Sequence, residues 1–130
     1  MSFTFCKAER LKSKKVIERL FNKEGQSFAR YPLRIIWLEI PLDTPFPVQF
    51  AVSVPKRRFK SAVKRNRIKR QIRETYRLRK HLLYDFLEKE EKQYAIMILY
   101  TANEELPYKE IDKRMRQIIS RLVNARSTTC

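Results

Sequence analysis

The 130-residue sequence contains one glycine, one histidine and two cysteines, and these scarcities exclude several kinds of functional site. With Gly25 as its only glycine, the chain has no glycine-rich loop of the type that cradles nucleotide phosphates. Cys6 and Cys130 stand at opposite ends, without the spacing of a metal site or a disulfide framework. His81 has no second histidine to work with, so we expect it to have no catalytic role.

Long apolar runs are also missing, since no stretch approaches the roughly 18 residues that a membrane span requires. The first residues, MSFTFCKAERLKSKK, place their charges after a short apolar patch, which is the reverse of a secretory signal. We therefore expect a cytoplasmic protein with free thiols. The length suits one domain over residues 1–130, and a hydrophobic content of 43% is enough for a core.

Positive charge is abundant and concentrated in one stretch. The formal net charge is +16, and residues 56–80 contribute +12 of it through thirteen basic residues and the single acid Glu74. Because a patch of one sign repels itself in the free protein, this concentration indicates a polyanionic partner. Nucleic acid is favoured over an anionic membrane surface.

Local patterns predict three helices and three strands in the order α-β-β-α-β-α, which pack as a two-layer α/β (α+β) sandwich. Ser13 and Ser61 are suited to cap the first two helices, and apolar and polar residues alternate strictly in the middle strand. The three prolines of residues 41–47 predict a loop. The predicted helices cover residues 13–22, nearly thirty residues from 62, and residues from 107 onward; the strands cover 34–40, 48–54 and 94–101.

The basic stretch has two faces when it is placed on a helical wheel at about 100° per residue. The apolar face, centred on Ile68, is predicted to pack on the sheet and comprises Ile68, Ile72, Thr75, Tyr76, Leu82 and Leu83. The opposite face, here called the cationic ridge, comprises Asn66, Lys69, Arg70, Arg73, Arg77 and Lys80, with Arg67 at its edge. The planar guanidinium of arginine can donate two hydrogen bonds to one phosphate group, and Asn66 could read a 2′-hydroxyl or a base edge. The alternative, a merely solvated helix face, normally mixes charge signs, as residues 85–92 do.

The sequence AVKRNRIKRQIRE at residues 62–74 resembles the signature of the bacterial ribonuclease P protein subunit. SVPKR at residues 53–57 and RLK at residues 10–12 strengthen this resemblance, which extends from Phe3 to about Val123. The pair Lys56-Arg57 stands where the family usually has two lysines. Residues 85–92 form a charged insertion, which we interpret as a peripheral extension of the helix.

The resemblance implies a non-catalytic subunit that binds a catalytic RNA and the 5′ leader of precursor tRNA, as a monomer in a 1:1 complex. It implies a ribosomal-protein-like sandwich with a left-handed βαβ crossover. The holoenzyme requires Mg²⁺, but the family implies no metal, cofactor or catalytic residue on the protein. The RNA-binding residues would be Lys56, Arg57, Arg65, Asn66, Arg67, Lys69, Arg70 and Arg73. The leader-binding cleft would include Ile17, Phe21 and Tyr31.

Two other classes of protein are compatible with a small basic chain. A ribosomal or RNA-chaperone protein would share the charge but would not need these arginines on a packed helix beside a separate aromatic cleft. A membrane-surface protein would direct bulky apolar residues outward beside its charges, whereas here they are predicted to face the core.

Overall fold

The computed structural model describes residues 7–22 and 24–128, with side chains as far as Asn124, so Cys6 and Cys130 lie outside the described residues. A 3₁₀ turn at Lys7–Glu9 precedes the first helix. The helices are α1 (Lys14–Phe21), α2 (Ala62–Glu90) and α3 (Tyr108–Thr128). The strands are β1 (Gln26–Arg30), β2 (Leu33–Glu39), β3 (Val48–Ser53) and β4 (Tyr94–Tyr100).

The predicted helices and strands are all present and follow each other in the predicted order, which confirms the mixed α+β sandwich. The sequence analysis missed β1, which lies between α1 and β2. This strand pairs only with β2 at the edge of the sheet, and Phe28 is its one buried residue. A short edge strand with a single buried side chain lacks the alternation that identifies a strand in sequence.

The four strands form one sheet in the order β1-β2-β4-β3. β1 pairs with β2 and β2 pairs with β4 in antiparallel fashion, whereas β3 and β4 are parallel neighbours. Parallel neighbours need a crossover connection, and α2 supplies it. The basic helix is therefore the crossover of a βαβ unit; its handedness stays a prediction.

Helices cover the sheet on both faces, to different extents. α2 and α3 pack on one face over a core that includes Ile35, Phe50 and Ile98, and the Phe50 ring stacks on Tyr76 at a centroid distance of 3.8 Å. The short α1 packs on the other face, where Leu20 joins a smaller cluster. This arrangement explains the continuous apolar sequence of β4, which is covered on both sides.

Serine caps begin the first two helices, as predicted. The Ser13 Oγ accepts a hydrogen bond from the Val16 amide at 3.3 Å, and the Ser61 Oγ accepts one from the Lys64 amide at 3.3 Å. α2 ends where Glu91 adopts a left-handed conformation with φ of 56°. The charged residues before that point extend the helix as expected, but the extension is not wholly peripheral, because Leu87 is fully buried in the core.

For two residues of α2, the burial that the helical wheel predicted is wrong. Leu82, predicted to face the core, is 51% exposed, and Lys80, predicted to lie on the cationic ridge, is only 3% exposed. Ile68, Ile72, Tyr76 and Lys80 follow each other at intervals of four, and each of these steps lies about 40° further round an ideal wheel, so Lys80 is buried although the wheel places it about 120° from Ile68. A wheel anchored at Ile68 is therefore accurate for the first half of α2 and misplaces residues in the second half.

Candidate nucleic-acid interface

The N-terminal half of α2 presents the cationic ridge as a fixed surface. Ile68, Ile72 and Tyr76 are at most 1% exposed and hold the helix against the sheet. On the outer side, four residues are exposed and Lys69 is half-buried. The exposed four are Asn66, Arg67, Arg70 and Arg73. Lys56 and Arg57, also exposed, lie in the loop that leads from β3 into α2, so the structure places the sequence-predicted cations around one end of the helix.

Arg65 differs from the other predicted contacts because its side chain binds the backbone of the protein itself. Its Nη1 donates hydrogen bonds to the carbonyl oxygens of Phe59 at 2.7 Å and Lys60 at 3.0 Å. Arg65 is half-buried, and these two bonds fix the loop just before the Ser61 cap. Replacing Arg65 would therefore disturb the loop as well as any contact with a partner, so Arg65 is a poor position at which to test binding alone.

Arg67 lies at the edge of the cationic ridge, as predicted, and pairs with an acid that the sequence pattern did not reveal. Its Nε lies 3.2 Å from the Glu105 carboxylate, in the segment between β4 and α3. Both side chains keep solvent contact, with exposed fractions of 49% and 29%. Such an exposed pair is worth at most about 1 kcal/mol, so a phosphate group can displace Glu105.

The cationic ridge is shorter than the sequence predicted. Arg77 lies 2.6 Å from the Glu74 carboxylate one turn earlier on the same helix. Lys80 is buried against Glu9 at 2.5 Å, because the N-terminal 3₁₀ turn covers this side of α2. Within residues 7–22 and 24–128, the part of the cationic ridge that has no ion pair with a carboxylate therefore runs from Lys69 to Arg73.

Of the three predicted leader-binding residues, Ile17 and Phe21 lie together on α1, and Tyr31 lies apart from them. On α1, Leu20 is buried, Ile17 is half-buried and Phe21 is 50% exposed, so Phe21 lies at the surface of the helix rather than in the core. α1 is held near the end of β2, where Gly25 approaches Trp37 so closely that a Cβ would lie 2.4 Å from its carbonyl oxygen. Tyr31 is 61% exposed and lies just before the start of β2, whereas α1 lies near the end of that strand. Tyr31 and Phe21 are therefore separated by about the length of a strand.

An incompletely covered part of the sheet separates these two aromatic residues. On the face that carries α1, Ile36, Ala51 and Leu99 are only half-buried. Arg34 is exposed on the same face, and its Nη2 donates a hydrogen bond to the Ser27 Oγ at 3.0 Å. Sequence reasoning missed Arg34 as a site candidate; its place between alternating apolar residues in β2 was the available signal.

Among residues 7–22 and 24–128, no cluster of three or more histidine, cysteine or acidic side chains could hold a metal ion. In that same part of the chain, no helix is long and apolar enough to cross a membrane. His81 is half-buried on α2.

Comparison of the sequence with known proteins identifies its relatives. The family described as Ribonuclease P matches residues 5–123. A ribonuclease P protein component of Porphyromonas gingivalis strain W83 is 39% identical over 125 residues, which cover 93% of this chain and 88% of the relative. The corresponding protein of Chlorobaculum tepidum is 33% identical over 102 residues, 74% of this chain and 66% of the relative.

Solved structures with the same fold have lower sequence identity. The RNase P protein of Staphylococcus aureus superposes with a TM-score of 0.69 at 22% identity, over 88% of this chain and 94% of its own. The RNase P protein of Thermotoga maritima superposes with a TM-score of 0.68 at 17% identity, over 87% of this chain and 96% of its own. These likenesses support the fold, whereas the match over residues 5–123 and the closer relatives establish the family. The chain belongs to the ribonuclease P protein component family.

Proposed function

We propose that this chain binds the catalytic RNA of ribonuclease P through the cationic ridge and the loop before it, and that it assists removal of the 5′ leader from precursor tRNA. Family membership makes it the protein subunit of that endoribonuclease and implies partnership with the RNA, so a ribosomal or RNA-chaperone role is not favoured. The observation that supports the RNA-binding surface is the clustering of exposed cations on a helix face that buried residues hold rigidly.

In this proposal the RNA performs hydrolysis with its Mg²⁺ ions, and the protein supplies positive charge and helps to position the precursor tRNA. Residues 1–130 act as one RNA-binding unit, and one copy binds one RNA in the cytoplasm. Exposed arginines such as Arg70 replace counterions where two polyanions meet, which lowers the cost of bringing precursor tRNA to the catalytic RNA. Arginine is suited to this role because its planar fork donates two hydrogen bonds to one phosphate group.

Reconstitution tests this division of labour. Nuclease-free protein alone should leave precursor tRNA intact at every Mg²⁺ concentration, and the RNA alone should cleave slowly at high Mg²⁺. Adding the protein should lower the Mg²⁺ concentration required for half-maximal cleavage, because the positive charge of the protein replaces part of the counterion atmosphere. Cleavage by the protein alone, or an unchanged Mg²⁺ requirement with the protein present, would contradict the proposal.

We further propose that the single-stranded leader lies across the open part of the sheet, between Phe21 and Tyr31. Half-exposed Phe21 offers a ring on which a base can stack, and Arg34 lies on the same sheet face to meet a phosphate. Stacking accepts any base, which suits a protein that must handle many precursors. Ile17, half-buried beside Phe21 on α1, would extend the apolar surface.

Phe21→Ala should weaken binding of precursor tRNA to the holoenzyme by roughly 5-fold to 150-fold, the equivalent of about 1–3 kcal/mol per stacked base. Binding of mature tRNA, which has no leader, should not change. Leu82→Ala is a matched control, since Leu82 is 51% exposed on another surface. Equal losses for precursor and mature tRNA together with a lower melting temperature would show that Phe21 acts through the fold instead.

A further inference from the structure

A hollow lies near the end of β2, on the sheet face that α2 and α3 cover. Trp37 alternates with the buried Ile35 along β2, so both side chains point to that face. The hollow, here called the Trp37 pocket, has a volume of about 440 Å³, within the range of about 300–1,000 Å³ that is typical of small-molecule sites. Its lining includes Gln26, Trp37, Glu39, Phe86, Tyr94 and Arg121.

The Trp37 pocket is separate from both surfaces proposed above to contact RNA. Phe86 lies more than three turns beyond Arg73 on α2, which places it about 20 Å from the cationic ridge along the helix axis. The surface between Phe21 and Tyr31 lies on the other face of the sheet, which carries α1. Neither of those contacts therefore accounts for this pocket.

Aromatic rings form the apolar wall of the Trp37 pocket. The Phe28 ring meets the Trp37 ring edge to face, with a centroid distance of 5.5 Å and an interplanar angle of 78°. Phe86 and Tyr94 are half-buried on the same wall. Because the contact with Phe28 fixes the Trp37 ring and the indole is only half-buried, it offers a flat surface on which another planar ring can stack.

Polar groups surround this wall on three sides. Gln26, which pairs with Trp37 across β1 and β2, is exposed and carries an amide that both donates and accepts hydrogen bonds. The Glu39 Oε1 lies 3.3 Å from Lys92 Nζ, and the Glu39 side chain is 54% exposed. Such an exposed ion pair is weak, so a ligand that donates hydrogen bonds can compete for the carboxylate.

The positive charge at the rim of the pocket comes from α3. The guanidinium carbon of Arg121 lies 4.2 Å from the centroid of the Phe28 ring, and this contact holds the charge beside the aromatic wall. The lining holds two carboxylates, Glu24 and Glu39, and two cations, Lys92 and Arg121. Because these charges balance, the pocket suits a ligand with one phosphate group better than a polyphosphate chain.

A nucleotide combines the groups that this lining can recognise. Its base stacks on an aromatic ring, an exocyclic amino group donates hydrogen bonds to a carboxylate, and its phosphate accepts hydrogen bonds from a guanidinium. Guanine, adenine and cytosine carry such an amino group. Uracil has a carbonyl oxygen in its place, which would face the Glu39 carboxylate without a hydrogen atom to donate.

We propose that the Trp37 pocket binds one nucleotide whose base carries an amino group. The base stacks on Trp37, its amino group donates to Glu39, and its phosphate group binds Arg121. The same chemistry is present in a free nucleotide and in one nucleotide of a single-stranded RNA. The proposal does not rest on the proposed function, because it uses neither the cationic ridge nor the surface between Phe21 and Tyr31.

The intrinsic fluorescence of the full chain tests this proposal, because Trp37 is the only tryptophan. GMP should quench the fluorescence in a saturable manner, after correction for light absorbed by the nucleotide. UMP should require at least a 10-fold higher concentration for half-saturation. A single-stranded RNA of mixed sequence is titrated in parallel. Quenching by GMP alone assigns the pocket to free nucleotides, and tighter quenching by the RNA assigns it to a base of a strand.

Variants separate the contacts with the phosphate and the base. Arg121→Ala should raise the half-saturating concentration of GMP about 10-fold to 100-fold, as expected for the loss of a charge-assisted hydrogen bond. The same variant should leave that of guanosine, which has no phosphate, nearly unchanged. Glu39→Gln should reduce the preference for GMP over UMP, since the amide can donate to the uracil carbonyl oxygen.

Arg116→Ala is the matched control, because Arg116 is exposed on α3 and outside the lining of the pocket. It should leave the GMP titration unchanged, and circular dichroism should show that all variants are folded. The proposal is overturned by an absence of saturable quenching with every nucleotide and RNA, by equal affinity for GMP and UMP, or by equal effects of Arg121→Ala and Arg116→Ala. None of these results would affect the proposed binding of the ribonuclease P RNA, which is measured separately.

Discussion

Replacing Lys69, Arg70 and Arg73 by alanine together should weaken binding of the ribonuclease P RNA about 1,000-fold while the protein stays folded. A charged hydrogen bond is worth roughly 1.5–3 kcal/mol, and neighbouring contacts are less than additive, so a combined loss of about 4 kcal/mol is expected. The three side chains lie outside the core, with Arg70 and Arg73 exposed and Lys69 half-buried. A filter-binding titration at fixed salt measures the loss, and circular dichroism reports the fold.

The chain offers a control with the same change in net charge. Lys109, Lys113 and Arg116 are exposed on α3, and replacing them by alanine also removes three positive charges. If the interface is the cationic ridge, this variant should bind nearly as tightly as wild type. Equal losses for the two triple variants would show that net charge alone, and not a defined surface, determines binding.

Glu9→Ala should lower the free energy of unfolding by about 3–5 kcal/mol, because it leaves the charge of Lys80 buried without its carboxylate partner. The side chains of the pair are 2% and 4% exposed. Burial also raises the pKa of the Tyr84 hydroxyl, and the hydrogen bond to Glu9 contributes to that rise, so Tyr84 stays a donor to the carboxylate. Urea denaturation followed by circular dichroism measures the loss.

Two further variants separate the buried charge from the packing around it. Glu9→Leu combined with Lys80→Met removes both charges and should recover most of the stability, since apolar side chains of similar size replace a buried pair well. Glu24→Ala breaks the pair of Arg19 and Glu24, whose side chains are 46% and 47% exposed, and should cost less than about 1 kcal/mol. A loss for Glu9→Ala no larger than that for Glu24→Ala would show that the pair is not buried in solution.

Sequence reasoning succeeded where the signal was local. Ser13 and Ser61 stand immediately before helical patterns, and both cap the helices that follow. The alternation in β3 gives the observed sequence of buried and half-buried residues. These features depend on neighbours within a few residues, which is why the pattern alone predicts them. β1 was missed because its strand character depends on pairing with β2 rather than on its own residues.

The candidate site was predictable in part for the same reason. Most cations stay at the surface because burying a charge is costly, so the charge density of the sequence indicated the position of the cationic ridge, of which Arg70 is an exposed member. Partners distant in sequence altered its limits. Lys80 is neutralised by Glu9, 71 residues away, and Arg67 pairs with Glu105 from the segment after β4. No helical wheel contains such partners, since tertiary packing brings them together.

The salt dependence of RNA binding tests the central claim, that the cationic ridge binds the ribonuclease P RNA by neutralising its phosphates. For about six neutralised phosphates, the plot of log K against log salt should have a slope of roughly −4 to −5 for the wild-type protein. The variant that lacks the charges of Lys69, Arg70 and Arg73 should have a slope shallower by about 2, and the α3 control variant should retain the wild-type slope. An affinity independent of salt, or the same slope for wild type and the ridge variant, would contradict the claim.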